Sequence, residues 1–278
     1  MKALAALAAA AAGAAAYAAY VEPRRLITHH ETVHLPDWPH HLDGLRVGLL
    51  SDLHAGVPHA GRAAIARAVA QLDAERPHLI LLLGDYLDAG PLFGGRLDPE
   101  TVARELEHLH APQGVYAVLG NHDWRRSGDK MWLALTNHGI RALENSAVRT
   151  PGGLYVAGIA DLRSRRPDLP KALAQVPDGE PVLLLAHDPD VFPFVPDRVS
   201  LTLSGHTHGG QVAIPRLRAL AIPSRYGERY AKGHIEEHGR HLYVTSGLGT
   251  SGLPLRAFMP PEVVVLELRA TPPERPRA

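Results

Sequence analysis

The sequence predicts an α/β protein built as a four-layer α/β/β/α sandwich, in which two packed, mixed β-sheets are flanked by helices. Short apolar runs alternate with helix-like segments through the first half of the chain, as they do in βαβ units. These runs are apolar at nearly every position, which is typical of strands covered on both faces. The second half contains mainly strand-like runs and little helix, which favours a second sheet packed on the first within one domain.

An alanine-rich apolar segment occupies residues 1–21, and it predicts an N-terminal membrane anchor or signal peptide. Its length approaches the ~20 residues of a membrane-spanning helix, although alanine is only weakly hydrophobic. Small residues around positions 14–18 would suit signal-peptide cleavage, whereas Tyr17 and Tyr20 would suit the aromatic belt of an uncleaved anchor. A soluble helix is disfavoured because the segment has no polar face. We therefore expect membrane association, with the rest of the chain on the extracytoplasmic side.

Residues 22–42 are polar, rich in histidine and interrupted by prolines, and they predict a tether that leads into an early strand over residues 27–35. Their histidines have no carboxylates at a matching spacing, so we interpret them as solvated or partly packed side chains. Residues 43–270 form the predicted main domain. Residues 271–278 are rich in Pro and Arg and predict a disordered tail.

The main domain has a predicted order of strands and helices. Helices are predicted over residues 60–75, 99–110, 130–138 and 168–175. Strands are predicted over residues 47–50, 79–83, 115–119, 154–159, 182–186, 199–203, 211–214, 242–245 and 263–268. Pro77 and Pro112 follow two of the helices, where a proline can end a helix because it has no N–H to donate.

Composition limits the chemistry that the chain can perform. Its 278 residues include 29 basic and 29 acidic side chains, so the formal net charge is zero and provides no general attraction to nucleic acid. The absence of cysteine excludes disulfides, thiolate zinc sites and a cysteine nucleophile. Any metal site must use oxygen and imidazole ligands. Histidine is frequent, with 18 residues, so only groups of polar residues are informative.

Polar groups directly follow several of the predicted strands. The turn over residues 205–210 holds two histidines between glycines, and glycine tolerates backbone angles and close approaches that larger residues do not. In an open α/β sheet the carboxyl ends of the strands gather ligands, so these groups are expected to converge. The oxygen and nitrogen donors are Asp52, His54, Asp85, Asn121, His187, His206 and His208. Such a set exceeds one tetrahedral ion and suits two ions that share a carboxylate.

The motifs occur in the order D-x-H, G-D-x-x-D, G-N-H-D, a lone His and G-H-x-H. This order resembles the calcineurin-like metallophosphoesterase superfamily over residues 43–268. The chain is also similar to a narrower branch, the bacterial YkuE- and YaeI-like membrane-associated phosphoesterases. That likeness is carried by Glu22-Pro23, residues 51–54, residues 205–211, residues 246–249 and residues 260–262.

The resemblance implies two divalent metal ions, and mixed oxygen and nitrogen donors do not choose among Mn, Zn and Fe. By position, it implies a first ion held by Asp52, His54, Asp85 and His208 and a second held by Asp85, Asn121, His187 and His206. Asp85 would bridge the ions, since a carboxylate has two oxygens whereas a neutral imidazole offers one lone pair. A hydroxide between the ions would then attack the phosphorus in line.

The resemblance also implies two catalytic side chains that are not ligands. His122 would protonate the leaving oxygen or stabilise its charge, and Asp88 would orient the His122 ring. Structural roles are the alternatives: a turn residue for His122 and a helix cap for Asp88. Asp123 and Asp188 are interpreted as groups that support the ligands or cap loops. For Arg256 two roles stay open, a substrate contact and a surface salt bridge.

The functional prediction is a hydrolase that cleaves a phosphodiester or pyrophosphate. Its substrate would be a small molecule or, given the N-terminal segment, a lipid-linked phosphoester. One alternative is a non-catalytic binding module of the same fold, which would lack some ligands or His122. Another is a nuclease, which would need a groove of clustered basic residues. Only Arg163, Arg165 and Arg166 suggest such a groove, so a nucleic-acid partner is not expected.

Overall fold

The computed structural model describes residues 1–88, 95–214 and 218–272. Its helices are Lys2–Ala16 (α1), Arg62–Ala74 (α2), Pro99–Leu106 (α3), Asn121–Asn137 (α4), Leu169–Leu173 (α5) and Arg218–Ala221 (α6). The first six strands are Ile27–Leu35 (β1), Leu45–Leu50 (β2), Leu79–Leu82 (β3), Val115–Ala117 (β4), Arg141–Ala142 (β5) and Ser146–Arg149 (β6). The others are Tyr155–Gly158 (β7), Val182–Leu185 (β8), Leu201–Ser204 (β9), Gly233–Glu237 (β10), Arg240–Val244 (β11) and Glu262–Ala270 (β12). Residues 273–278 of the predicted tail lie outside the described residues.

The strands form two mixed sheets of six strands each. The first sheet has the order β1-β12-β2-β3-β4-β5, in which β2 to β5 run parallel and β12 is antiparallel to β2. The second has the order β10-β11-β9-β8-β7-β6, with four parallel central strands and an antiparallel strand at each edge. The predicted fold class is therefore confirmed.

The β3 strand shows why the central runs are apolar at every position. Ile80 and Leu82 belong to the buried cluster that the first sheet forms with α2, α3 and α4. Leu79 and Leu81 face the other way, into a cluster shared by the two sheets. The outer face of the second sheet packs against α5 and the 3-10 turns of Pro189–Phe194. Each fully buried leucine or isoleucine contributes about 1.5–3 kcal/mol to this arrangement.

Two predicted elements differ from those in the structure. The helix expected from residue 130 is present, but helical residues from Asn121 precede it, with non-helical angles at Ser127 (φ −166°, ψ 50°) between the two parts. The start at Asn121 follows from a cap, in which the Asp123 carboxylate accepts the Gly120 N–H at 2.9 Å. The strand expected over residues 211–214 does not form in the described chain, where a single bridge pairs Val212 with Ala257. Gln211 has a φ of 54°, and the preceding glycine pair also turns the chain away from an extended path.

The first residue of β12 provides a test of pH-dependent stability. Glu262 is buried and accepts hydrogen bonds from Lys232 Nζ at 2.6 Å and from the Ser246 N–H at 2.9 Å. Burial acts to raise the pKa of Glu262, but Lys232 and these hydrogen bonds hold it below its usual value. A lowered folded-state pKa stabilises the fold above the unfolded-state pKa of about 4.3, and this contribution is lost as the pH falls through the folded-state value.

We expect Glu262→Gln to lower the free energy of unfolding by about 2–3 kcal/mol at neutral pH, because the hydrogen bonds that the charged carboxylate accepts are weakened or lost. The gap from the wild type should shrink as the pH falls below about 4. Urea unfolding in detergent at several pH values measures both quantities. Glu267→Gln on the same strand is the control, since that side chain is 37% exposed. A gap that is independent of pH would contradict the role of the Glu262 charge.

Candidate metal centre

The predicted donors all lie just beyond the carboxyl ends of parallel strands. Asp52 and His54 follow β2, and Asp85 follows β3. Asn121 follows β4 and is the first residue of α4. His187 follows β8 in the second sheet, while His206 and His208 follow β9. The two sheets therefore present their polar loops at one shared edge, and the structure brings the seven predicted donors together there.

The backbone at this edge is held in an uncommon conformation. Five of the donors have positive φ angles: Asp52 at 52°, His54 at 43°, Asp85 at 54°, His206 at 67° and His208 at 51°. A non-glycine residue in this region costs of order 1–3 kcal/mol and persists only where the surroundings impose it. Strain that coincides with a cluster of polar side chains indicates selection for the position of those side chains rather than for packing.

Two glycines make room for the cluster. A Cβ atom on Gly120 would stand 2.2 Å from Asp85 Oδ1 and 2.7 Å from His187 Nε2. A Cβ atom on Gly205 would stand 2.2 Å from Asp52 Oδ2. Real Cβ contacts are never this short, so any larger residue at either position would displace a donor. The glycine-flanked histidine turn that the sequence shows is explained by this close approach.

One group of donors comprises Asp52, His54 and His208, which are all buried. The two imidazoles approach each other, with 3.0 Å between His54 Nε2 and His208 Nε2. Asp52 Oδ1 lies 3.5 Å from His208 Nε2 and 3.9 Å from His54 Nε2. The Asp52 carboxylate itself accepts hydrogen bonds from the backbone N–H of His206 and from the Ser51 hydroxyl.

A second group comprises Asp85, His187 and His206. His187 Nε2 lies 3.2 Å from Asp85 Oδ2 and 3.2 Å from His206 Nδ1. The same Asp85 Oδ2 lies 3.7 Å from Nε2 of His54 in the first group. Asp85 therefore stands between the two groups, while its other oxygen, Oδ1, accepts the backbone N–H of His122 at 2.8 Å.

The chemistry of these donors fits divalent cations. His187 Nδ1 lies 2.7 Å from the Leu83 carbonyl, which can only accept, so Nδ1 carries a proton and Nε2 faces the centre. Among the described residues, Asn121 Oδ1 is buried without a hydrogen-bond partner, and the facing ring nitrogens lie only 3.0 Å apart in the His54–His208 pair and 3.2 Å apart in the His187–His206 pair. Burying such polar atoms together is costly unless a cation joins them. Oxygen and imidazole donors suit Mn, Zn and Fe alike.

The charge states differ among the donors. Burial acts to lower the pKa of His187, but Asp85 and Asp52 outweigh it and raise that pKa well above the usual value, so a cation would bind at Nε2 by displacing a proton. Burial lowers the pKa of His206 and of His208 well below the usual value, and neighbouring His187 and His54 lower them further. Both rings are thus neutral and keep a lone pair. Burial acts to raise the pKa of Asp85, but His187, His54 and His122 outweigh it and hold that pKa well below the ordinary value. Asp85 is therefore ionised, as a ligand must be.

A cleft of about 240 Å³ opens beside the two groups and is lined by His122, Arg125, Arg163 and Gln211 as well as by several donors. The His122 ring stands edge-on to His54, with 4.6 Å between ring centroids. Asp88 Oδ1 lies 3.8 Å from Nδ1 of His122 and also 3.8 Å from Nδ1 of His54. Burial lowers the pKa of His122 to about 4, despite the opposing charges of Asp85 and Asp88.

Some residues that organise the cleft were not predicted, or were predicted only in outline. Arg125 lines it without belonging to any motif that the sequence displays, and Gln211, the last residue of the 205–211 motif, had no predicted role. Asp123 joins two loops, because its carboxylate accepts the N–H groups of Asp85, Leu87 and Gly120, each at 2.9 Å. Its position three residues after a glycine at a helix start is the signal that could have identified this cap.

Neither role considered for Arg256 is correct. Its side chain is fully buried, so it contacts neither solvent nor the cleft. The guanidinium instead donates to four backbone carbonyls, those of Ser246, Gly247, Gly249 and Met259. Its backbone N–H donates to the Ala18 carbonyl at 2.9 Å. Arg256 thus ties the 246–259 segment together and joins it to the end of the N-terminal helix.

Comparison with known proteins identifies the class of this centre. The family described as calcineurin-like phosphoesterase matches residues 45–210. The Bacillus subtilis (strain 168) protein named uncharacterized metallophosphoesterase YkuE is 31% identical, over 97% of this chain and 94% of that protein. A Danio rerio transmembrane protein with metallophosphoesterase domain is 33% identical over 83% of this chain, which spans only 54% of that protein.

Among solved structures, TT1561 of Thermus thermophilus aligns with a TM-score of 0.48 and 13% identity, over 73% of this chain and 89% of that chain. The family match covers the strands and loops that carry all seven donors and ends two residues after His208. The two groups of histidines and aspartates supply the oxygen and nitrogen ligands that such an enzyme needs. The chain belongs to the calcineurin-like metallophosphoesterase family, within its YkuE-like branch, and is a metal-dependent phosphoesterase.

Proposed function

We propose that this protein hydrolyses phosphodiesters or pyrophosphates with two divalent cations. The first would be held by Asp52, His54, Asp85 and His208, and the second by Asp85, Asn121, His187 and His206. The observation that carries the proposal is the place of Asp85, whose Oδ2 atom lies 3.7 Å from His54 Nε2 and 3.2 Å from His187 Nε2. A carboxylate in that place can serve both cations, since it has two oxygens and several lone pairs.

When bound, the cations would polarise the phosphate oxygens and lower the pKa of a water that serves as nucleophile. The protein's own groups perform the remaining tasks. His122 faces the cleft as a neutral ring, which can donate a hydrogen bond to the charge that develops on the leaving oxygen. Asp88 lies beside the His122 and His54 rings and favours the orientation in which their Nδ1 atoms face it.

Two cleft residues favour a substrate with more than one anionic group. Arg125 and Arg163 line the cleft at the donors and also a neighbouring cavity of about 530 Å³, which Arg225 lines as well. Arg163 is fixed there, because its Nε donates to Asp188 at 2.7 Å. A pyrophosphate, or a diester that carries a second anionic group, could therefore contact the arginines while its reacting phosphorus lies at the cations.

The N-terminal helix supports a membrane-associated role. Residues Lys2–Arg24 form a helix of 23 residues with a mean hydropathy of 1.7, long and apolar enough to cross a bilayer, and none of its apolar stretch is buried in the protein. The name of the Danio rerio relative likewise describes a transmembrane protein. We include in the proposal that this helix anchors the enzyme, that the domain is extracytoplasmic, and that a lipid-linked phosphoester is a substrate.

The two alternative functions are less well supported. A non-catalytic binding module would not need a complete donor set, and all seven donors and His122 are present. A nuclease would need free basic side chains along a groove. Neither Arg165 nor Arg166 lines the cleft, and Arg165 donates to Glu144 at 3.0 Å and lies over the Trp124 ring.

The experiment that tests the proposal is hydrolysis by the full-length protein in detergent after metal removal. Bis-(p-nitrophenyl) phosphate and p-nitrophenyl phosphate would be compared after reloading with Mn²⁺, Zn²⁺ or Fe²⁺, with bound metal counted by mass spectrometry. We expect two ions per chain and metal-dependent turnover of the diester in preference to the monoester. One ion per chain, or no turnover by folded and loaded protein, would overturn the two-metal phosphodiesterase.

The role of His122 is tested through the leaving group. We expect His122→Ala to slow hydrolysis of diphenyl phosphate by about 10²–10³-fold, the usual cost of removing a donor that stabilises a developing negative charge. The loss should be much smaller with bis-(p-nitrophenyl) phosphate, because p-nitrophenolate leaves without protonation. Bound metal should be unchanged. Equal losses with both substrates would argue against a hydrogen bond from His122 to the leaving oxygen, and loss of metal would show that His122 supports the metal site.

A further inference from the structure

Exposed apolar side chains are concentrated at one end of the molecule. Among the described residues, most of the large exposed hydrophobic side chains belong to the N-terminal helix. Three others, Ile214, Leu253 and Phe258, are 37%, 59% and 75% exposed. Only Leu133 and Phe194 lie on other surfaces of the described chain. An exposed leucine or phenylalanine needs no explanation alone, but a group beside an apolar helix does.

Ile214, Leu253 and Phe258 lie on two segments that pack together, residues 211–214 and 251–258. The Ala257 N–H donates to the Gln211 carbonyl at 2.9 Å, and the Ala213 N–H donates to the Ala257 carbonyl at 2.8 Å. The Gln211 side chain makes two further hydrogen bonds with the Ser251 backbone. Its Oε1 accepts the Ser251 N–H at 2.6 Å, and its Nε2 donates to the Ser251 carbonyl at 3.1 Å. We call these paired segments the apolar edge.

The backbone holds one of these side chains outward at a cost. Phe258 has a φ of 56°, which is a true outlier for a bulky residue, yet its ring is largely in solvent. The neighbouring Met259 N–H is fixed by the buried Glu22 carboxylate, whose Oε1 lies 2.6 Å away. A strained backbone that holds an aromatic ring in water gains no packing in return. The conformation of Phe258 therefore indicates that its ring contacts an apolar phase or partner rather than water.

The apolar edge is joined directly to the end of the N-terminal helix. Glu22 bonds to Met259, and the Ala18 carbonyl accepts the N–H of the buried Arg256 at 2.9 Å. Tyr17 and Tyr20 are exposed near the same end, where aromatic residues in membrane proteins occupy the headgroup layer. Arg24 and Arg25 follow, and basic side chains at this depth attract anionic headgroups.

We propose that the apolar edge docks into the headgroup layer of the bilayer that the N-terminal helix enters, with Ile214, Leu253 and Phe258 inserted. Ser251 and Gly252 of the same edge line the cleft at the metal centre. The cleft therefore opens at the membrane surface, where the phosphoester of a lipid is within reach. This inference rests on the anchor and the lipid-linked substrate included in the proposed function, and it adds where the protein meets the membrane.

The chain contains no cysteine, so single cysteines can be spin-labelled without background. Full-length protein with Leu253→Cys, Phe258→Cys or, for the anchor, Leu7→Cys would be reconstituted into vesicles of phosphatidylcholine and phosphatidylglycerol. Leu133→Cys and Phe194→Cys are matched controls, since both side chains are exposed and apolar. Collision rates of each label with oxygen, which enters bilayers, and with a water-soluble nickel complex report its surroundings.

We expect the ratio of oxygen to nickel collisions to be severalfold higher at 253 and 258 than at 133 and 194. Equal ratios at all four positions, with the label at position 7 in the bilayer, would overturn docking and leave the anchor intact. A label at position 7 in water would overturn the anchor and docking together. Turnover of soluble bis-(p-nitrophenyl) phosphate by the same samples tests the metal centre independently of either result.

A catalytic measurement completes the test. The double variant Leu253→Ser with Phe258→Ser should cleave soluble bis-(p-nitrophenyl) phosphate at the wild-type rate but hexadecyl p-nitrophenyl phosphate in vesicles severalfold more slowly. The double variant Leu133→Ser with Phe194→Ser should match the wild type on both substrates. Wild-type turnover of the vesicle substrate by the first variant would contradict a cleft that opens at the membrane.

Discussion

Asp85→Asn is expected to lower diester turnover by at least about three orders of magnitude, which corresponds to about 4 kcal/mol of transition-state stabilisation. The reason is that Asp85 stands between both groups of donors, so its charge serves each proposed ion. An amide keeps the shape of the side chain but removes the negative charge and one of the acceptor oxygens. Bound metal, counted by mass spectrometry, should fall below two ions per chain at equal free Mn²⁺.

The control for this variant is Glu105→Gln. Glu105 is also a buried carboxylate, but it pairs with Arg62 in the helical layer, far from the donors. The Glu105→Gln protein should retain two bound ions and wild-type turnover. If Asp85→Asn kept two tightly bound ions and near-normal turnover, Asp85 would not bridge the ions. The proposed ligand sets would then have to be redrawn.

Arg256→Met is expected to lower the free energy of unfolding by at least about 3 kcal/mol. The Arg256 guanidinium supplies donors to the carbonyls of Ser246, Gly247, Gly249 and Met259 in a site from which water is excluded. Burial lowers the pKa of Arg256 to about 10, so the group is still charged at neutral pH and its hydrogen bonds are strong. Methionine fills similar space but leaves these carbonyls without donors, each costing about 1–3 kcal/mol.

Urea unfolding of the full-length protein in detergent measures this effect. Arg104→Met is the control, because that side chain is 57% exposed and its pair with Glu100 should contribute less than about 1 kcal/mol. We also expect Arg256→Met to disturb the position of Asp52 at the metal centre, because the Gly249 N–H donates to the Asp52 carbonyl at 2.7 Å. Wild-type stability of Arg256→Met would show that the 246–259 segment does not depend on this hydrogen-bond network.

The layered fold and the meeting of the donors could be predicted from the sequence. Buried strands are apolar at every position, as in residues 79–82, and this pattern is local and visible in the letters alone. The donors converge because each directly follows a strand, and parallel strands of a sheet end at the same edge. Neither conclusion requires knowing which distant residues touch, so both the fold class and the family were accessible.

The errors occurred where distant parts of the chain decide the outcome. Arg256 has an ordinary surface-like sequence context, but the loop around it closes over the guanidinium and supplies four carbonyl acceptors. The start of α4 at Asn121 depends on the Asp123 carboxylate, which also holds the N–H groups of the Asp85 loop 36 to 38 residues away. The sequence around a charged residue does not show whether its side chain is hydrated or is buried against backbone carbonyls.

The sequence by itself therefore determined most of the strand pattern, the fold class and the meeting of seven polar donors at one edge. The tertiary structure alone decided the interior role of Arg256, the join between Glu22 and Met259, which lie 237 residues apart, and the apolar edge beside the N-terminal helix. The physical reason is that periodicity and strand ends act within a few residues. Burial of a charge and exposure of an aromatic ring are set by contacts between segments that only folding brings together.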